Sequence, residues 1–245
     1  MSRQVTIIIP AIDEGKNLRA LLPQLNEVKR QLIGDNIELD IMVVLPRVAD
    51  SISLEAIRTN QCRYVNRVPS DSFGDAIRTG IVNIPPSSDF TVFLDADGSH
   101  NPRSIKKLIR YSDAADVVVA SRYTKGGSTS HPFLLEVMSR LLNMTFRLVI
   151  GIPCSDISTN FKLYRSADLK QLELRSSNFD IIEEILIRLK HQVRPDLKIL
   201  EVPDHFGERI DGRSKRRFLV FSISYVVTLV KMKLMMTLSS SNQKK

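Results

Sequence analysis

Thr91-Val92-Phe93-Leu94-Asp95-Ala96-Asp97-Gly98-Ser99-His100-Asn101-Pro102 runs from a mostly apolar segment into two carboxylates one residue apart. A short continuous apolar run reads as a strand buried on both faces. Such strands belong to sheets covered by helices on both sides, whose ligands bind beyond the carboxyl ends of the strands. Asp95 and Asp97 stand at that point, and on an extended backbone they share one side. Two like charges held close are costly unless a cation relieves them. Hard carboxylate oxygens suit Mg2+ or Mn2+, with substrate phosphates completing the shell. The same residues also suit an acidic turn in front of a helix that starts at Asn101-Pro102.

The rest of the chain repeats the pattern. Val5 to Ile9 is a β-branched run closed by Pro10, a buried first strand. Asp13 and Glu14 precede the helical series Leu18, Leu21, Leu22, Leu25, Val28 and Leu32, with Gly34 as its stop. Leu39 to Leu45 reads as a second strand, Ser51 to Arg58 as a helix, Tyr64-Val65 as a short strand and Phe73 to Val82 as a helix. After the opening strand come a helix over Ile105 to Tyr111 and a strand over Val117 to Ala120. Strand alternating with helix predicts an α/β fold, a mostly parallel sheet flanked by helices on both faces. Beyond a basic loop, Ser121 to Ser128, the pattern gives a helix over Phe133 to Ile150. A short helix follows near Leu169, another spans Ile181 to Lys190, and Ile199 to Val202 is a last strand.

Composition narrows the classes of function. The 245 residues are 43% apolar and 25% charged, a globular balance that buries a core. A formal charge of +8 favours an anionic partner: nucleotide, nucleic acid or anionic lipid. Aromatics are only 6% with no tryptophan, which lacks the stacking platform of a nucleic-acid binder, so no nucleic-acid partner is expected. Cys62 and Cys154 are too few for a disulfide or metal framework and point to a reducing, cytoplasmic setting.

Taken in order, these segments resemble family 2 glycosyltransferases of the GT-A fold, and within them the polyprenyl-phosphate glycosyltransferases. The resemblance covers about residues 5 to 217. It is carried by Val5 to Pro10 with Asp13-Glu14, by Asp95 to Pro102, by Ser121-Arg122-Tyr123, and by Ser139-Arg140 with Asn143. It continues in Ser155-Asp156 with Phe161 and Tyr164-Arg165, and ends in Glu201-Val202-Pro203 followed by Arg209, Gly212, Ser214 and Lys215. It implies inverting transfer of a hexose, mannose- or glucose-like, from a GDP- or UDP-sugar to a polyprenyl phosphate, with Mg2+ or Mn2+. Asp97 matches the family's metal-binding aspartate and Asp95 its partner near the sugar nucleotide. Pro10, Glu14, Asp95 and Arg122 form the implied donor side; Ser139, Arg209 and Lys215 form the implied acceptor-phosphate side. Asp97, Asp156 and Arg209 are the implied catalytic set, and Glu184 matches an acid facing the sugar. Arginine forks suit phosphate oxygens, and the lysine ammonium acts as a compact charge.

The chain departs from the family in places. The acidic run that usually follows the second strand is replaced by Leu45-Pro46-Arg47-Val48, with only Asp50 beyond it. Leu135 stands where relatives carry an arginine. Thr159 and Asn160 stand where they carry a glycine and a small residue.

The expected organisation is a transferase domain over residues 1–217, an apolar helix over 218–238 and a disordered tail over 239–245. The run Phe218 to Val230, thirteen residues, reaches about 20 Å as a helix, short of the roughly 30 Å bilayer core. Flanked by Arg213, Lys215, Arg216, Arg217, Lys231 and Lys233, it suits an amphipathic helix lying in a membrane surface, or a helix that packs on the sheet or pairs in a homodimer. The expected location is peripheral, on the anionic cytoplasmic face of a membrane.

Overall fold

A computed structural model describes residues 2–208. Arg209, Lys215 and the 218–238 segment lie outside the described residues.

The first half alternates β1 (Arg3–Pro10), α1 (Gly15–Ile33), β2 (Ile37–Leu45), α2 (Ser51–Thr59), β3 (Arg63–Asn66), α3 (Phe73–Val82) and β4 (Phe90–Phe93). The second half carries α4 (Ile105–Arg110), β5 (Val117–Ser121), β6 (Ser128–Thr129), α5 (Phe133–Ile150), β7 (Lys162–Arg165), α6 (Ser166–Leu169), α7 (Ile181–Arg188), β8 (Ile199–Pro203) and β9 (His205–Phe206). One seven-stranded sheet runs in the order β3-β2-β1-β4-β7-β5-β8. β1 to β4 pair in parallel, β7 inserts antiparallel between β4 and β5, and β8 returns parallel to β5. β6 and β9 form a separate two-stranded ribbon.

The central strands are apolar because both faces are covered. Ile7 and Ile9 enter one core with Leu18, Leu22 and Leu25 of α1 and Leu108 of α4. Ile8, with the opposite parity, enters the other core with Ile77 of α3, Phe146 of α5 and Ile185 of α7. Helix α3 comes so close to β1 that a Cβ on Gly80 would stand 2.6 Å from the Ile8 side chain. Any larger residue there pushes the helix off the sheet.

Lys162–Arg165, for which the sequence pattern gives no strand, lies within the sheet between β4 and β5. β4 ends at Phe93, so Asp95 and Asp97 lie beyond it, Asp97 within a turn. Gly98, at φ 78°, takes the left-handed conformation that lets this turn close.

Candidate active site

The parallel strands β1 and β4 are neighbours, so the residues leaving their carboxyl ends meet at one rim of the sheet. Pro10 closes β1 and Glu14 occupies the N-cap position of α1. In the turn beyond β4, Asp97 Oδ1 accepts the backbone N–H of Ser99 at 3.0 Å and its hydroxyl at 2.5 Å. Asp95 Oδ1 accepts Asn160 Nδ2 at 2.9 Å, and Asp95 Oδ2 faces His100 Nε2 at 3.4 Å. The helical start at Asn101-Pro102 forms too, with Asn101 Oδ1 accepting from the Arg103 N–H at 3.1 Å. The acidic turn is therefore both a carboxylate pair and the lead-in to a helix.

Those two acids fit a divalent cation by the chemistry of their hard oxygens. Among the described residues no group of three or more His, Cys, Asp or Glu side chains forms a complete metal cage. A cation held here needs further oxygens, which the phosphates of a nucleotide supply.

Arg122, just past the end of β5, makes the strongest polar contact of the site. Its Nε reaches Asp156 Oδ2 at 2.8 Å, its Nη2 reaches Oδ1 at 2.6 Å, and its backbone N–H donates to Oδ2 at 2.9 Å. Asp156 is fully buried. Burial alone raises a carboxyl's pKa, but the charge and hydrogen bonds of Arg122 outweigh it and hold Asp156 below the usual carboxylate range. The Arg122 guanidinium lies over the Tyr123 ring at 4.8 Å and over Phe206 at 5.2 Å. Asp95 adds to the negative charge that favours the Arg122 cation.

Helix α5 flanks Tyr123. Arg140 also lies over the Tyr123 ring, at 4.6 Å, and pairs with Glu136 at 2.8 Å. The Tyr123 hydroxyl lies beside Ser139. A cavity of about 200 Å3 opens there, lined by Tyr123, Arg140, Asn143, Met144, Arg147, Cys154 and Ser155. The outer face of the helix exposes Phe133, Leu134, Leu141, Met144 and Leu148, with Leu148 at 75%. Leu134, Leu141 and Leu148 recur every seven residues, a stripe along one side.

Other expected residues fall elsewhere. Glu184 is fully buried, accepts the N–H groups of Arg175 and Ser176 and pairs with Arg188 at 2.6 Å, which makes it a structural acid. Asp50 spends its carboxylate capping α2 through the Ser53 N–H at 2.8 Å, so it does not replace the missing acidic run. The loop after β3 brings an acid instead: Asp71 Oδ1 accepts the Arg47 N–H at 2.7 Å. Sequence reading missed Asp71, Asn160 and Ser158, because nothing local marks an acceptor or amide whose partner lies on another loop.

The same loop is fastened by Asp75, at the start of α3. Burial opposes its ionisation, but Ser70, Arg78 and Ser72 donate to it and lower its pKa from 3.8 to about 2. A carboxyl depressed by folding contributes stability above its unfolded value and loses it as pH falls through the folded one. Asp75→Asn is expected to cost about 1–2 kcal/mol at pH 7 and to flatten the loss of stability between about pH 4 and 2. Denaturant titrations across that range check it; equal slopes for both chains contradict it.

A mostly parallel sheet covered on both faces, with Asp95 and Asp97 beyond the carboxyl end of β4, is a GT-A-type architecture. The chain belongs to glycosyl transferase family 2, whose family model matches residues 6–173. It is 30% identical over 222 residues to a dolichol-phosphate mannosyltransferase of Pyrococcus furiosus, covering 86% of this chain and 59% of that one. It therefore spans under two thirds of that relative's length. It is 27% identical to an undecaprenyl-phosphate mannosyltransferase of Micrococcus luteus, over 86% of this chain and 87% of that one. Among solved structures it superposes on glucosyl-3-phosphoglycerate synthase from Mycobacterium tuberculosis, crystallised with Mn2+, UDP and glucosyl-3-phosphoglycerate. The TM-score is 0.69 at 16% identity, over 94% of this chain and 80% of that one, which establishes a shared fold. Among the described residues no helix is long and apolar enough to cross a membrane.

Proposed function

We propose that this chain is an inverting glycosyltransferase that passes a hexose from a GDP- or UDP-sugar to the phosphate of a polyprenyl carrier, working at the cytoplasmic face of a membrane. The observation that carries the reading is one of adjacency. The loop of residues 156–160 ties the rim acid Asp95 and the Arg122–Asp156 pair, suited to a sugar nucleotide, to a helix whose outer face is an exposed apolar stripe, suited to a lipid. The names of the relatives point the same way.

In this reading Asp97 and Asp95 hold Mg2+ or Mn2+. Bound there, the cation neutralises charge that develops on the leaving nucleoside diphosphate. Pro10 and Glu14 border the donor. Arg122 has Nε and Nη2 committed to Asp156, which leaves Nη1 as the part of its fork able to meet a phosphate oxygen. Asp156, with no exposed surface, acts through Arg122 and not on substrate. Ser139, beside Tyr123 and the cavity under α5, borders the acceptor phosphate. Arg209 and Lys215 are assigned to phosphate binding from sequence alone. The nucleophile is a phosphate oxygen, already ionised at neutral pH, so the site needs no dedicated general base. The transferase domain of this reading is residues 1–217.

Calorimetric titration of the protein with GDP- and UDP-sugars in Mn2+ tests the donor half. Saturable binding of one nucleotide class, abolished by chelating the metal, is expected. Failure of every donor to bind supports a second reading, a catalytically silent relative that retains the fold. That reading is favoured by the commitment of Asp50 to its helix cap, which leaves the second strand without its usual acid.

The acceptor half makes its own prediction. An apolar side chain moved from water into a lipid surface contributes on the order of 1 kcal/mol or more. Leu141→Glu with Leu148→Glu is expected to weaken sedimentation with anionic phospholipid vesicles at least ten-fold. Wild-type sedimentation of the double variant removes α5 from the membrane contact.

A further inference from the structure

Asn160 is buried, 4% exposed, and its side-chain amide meets Asp95. A neutral amide orients a carboxylate without cancelling the negative charge that a cation needs, which a lysine or arginine in its place would do. The second oxygen of Asp95 faces His100, whose ring is wedged against Phe161 and Phe206 with centroids 5.0 Å from each. Asp95 is thus held by the Asn160 amide on one oxygen and faced by the packed His100 ring on the other.

The loop that delivers Asn160 is itself braced. The Lys162 ammonium, fully buried, donates to Ile157 O at 2.9 Å and to Thr159 O. The Ser158 N–H donates to Asn143 Oδ1 at 3.1 Å, and Asn143 Nδ2 reaches Ser158 Oγ at 3.3 Å and Ser139 O at 2.8 Å. Two residues earlier, Asp156 clamps Arg122. Within residues 156–160 one loop therefore grips the arginine, helix α5 and the rim acid.

We infer that Asn160 is a positioning residue for Asp95, and that the 156–160 loop is a strut fixing the donor-side acid relative to α5. The inference rests on the donor reading of Asp95. In this inference Asn160 acts by orienting Asp95.

The test measures Mn2+ affinity by electron paramagnetic resonance, and GDP and UDP binding in Mn2+ by calorimetry, on the full chain. Asn160→Ala is expected to weaken Mn2+-dependent nucleotide binding about ten-fold with its Tm nearly unchanged. Asn160→Asp keeps the shape but sets a second carboxylate against Asp95, and it is expected to weaken binding further than alanine does. Asn160→Ser keeps a polar group that falls short of Asp95, and it gives the same weakening should the alanine chain not fold. Wild-type affinity in Asn160→Ala or Asn160→Ser overturns the inference while leaving the donor reading intact. A lower Tm with unchanged affinity also overturns it, by making Asn160 a packing residue. Absence of nucleotide binding in the wild-type protein overturns the donor reading, and this inference with it.

Discussion

Asp97→Asn is expected to lower the rate of sugar transfer about 1,000-fold or more, some 4 kcal/mol of transition-state stabilisation. The substitution is chosen from the turn itself. Asp97 Oδ1 accepts two hydrogen bonds from Ser99, and the amide oxygen of asparagine accepts them equally. The turn therefore survives, and what is lost is the negative charge on a hard oxygen. A group holding a cation against a departing diphosphate loses most of its effect with its charge. The Tm is expected to move by no more than a few degrees, because the rim acid is not part of either apolar core. Steady-state transfer rates and calorimetric melting on the same preparation separate the two effects. Near-wild-type turnover in Asp97→Asn refutes the metal role.

The largest effect on stability is expected from Asp156→Asn. The carboxylate and the guanidinium are both nearly removed from water, and each satisfies the other through a two-point contact. Removing one partner strands a buried charge, at a typical cost of about 3–5 kcal/mol. In a chain of this size that corresponds to a fall in Tm on the order of 10 °C. Replacing both partners by apolar residues of similar volume, Arg122→Met with Asp156→Leu, removes the stranded charge. Much of the lost stability is expected to return. Transfer is not expected to return with it, since the guanidinium proposed to meet the donor phosphate is gone. Scanning calorimetry of the three chains decides the matter: an Asp156→Asn protein as stable as wild type means that the pair is solvated and not a buried clamp. A double variant with full activity removes Arg122 from the donor site.

Much of the sheet was legible because its physics is local. Continuous apolar runs at Val5 to Ile9 and Val117 to Ala120, and the alternation with amphipathic helices such as α1, need no distant information to be read. The strand Lys162–Arg165 was hidden for the opposite reason. A lysine heads it, and only the fold shows that its ammonium turns inward onto two loop carbonyls. The ribbon of Ser128–Thr129 and His205–Phe206 is too short for any period to show.

The site divides in the same way. The rim acids announce themselves as charges at the end of an apolar run. Asp156 was visible as part of a motif, but its bond to Arg122 depends on strands β5 and β7 lying side by side. Asn160 and Asp71 act across loops that meet only in the folded chain, so no spacing in the sequence marks them. Glu184 looked like a site acid by position and proves to cap backbone N–H groups, a role that resemblance alone does not distinguish.

The most direct test of the central claim incubates the full chain with Mn2+, a labelled GDP- or UDP-hexose and a short polyprenyl phosphate. The label is followed into the organic phase, and the anomeric configuration of the product is read by NMR. The account predicts a lipid-phosphate sugar of inverted configuration, formed by the wild-type protein and absent with Asp97→Asn. Consumption of no donor across both nucleotide classes, or equal product from Asp97→Asn, contradicts it.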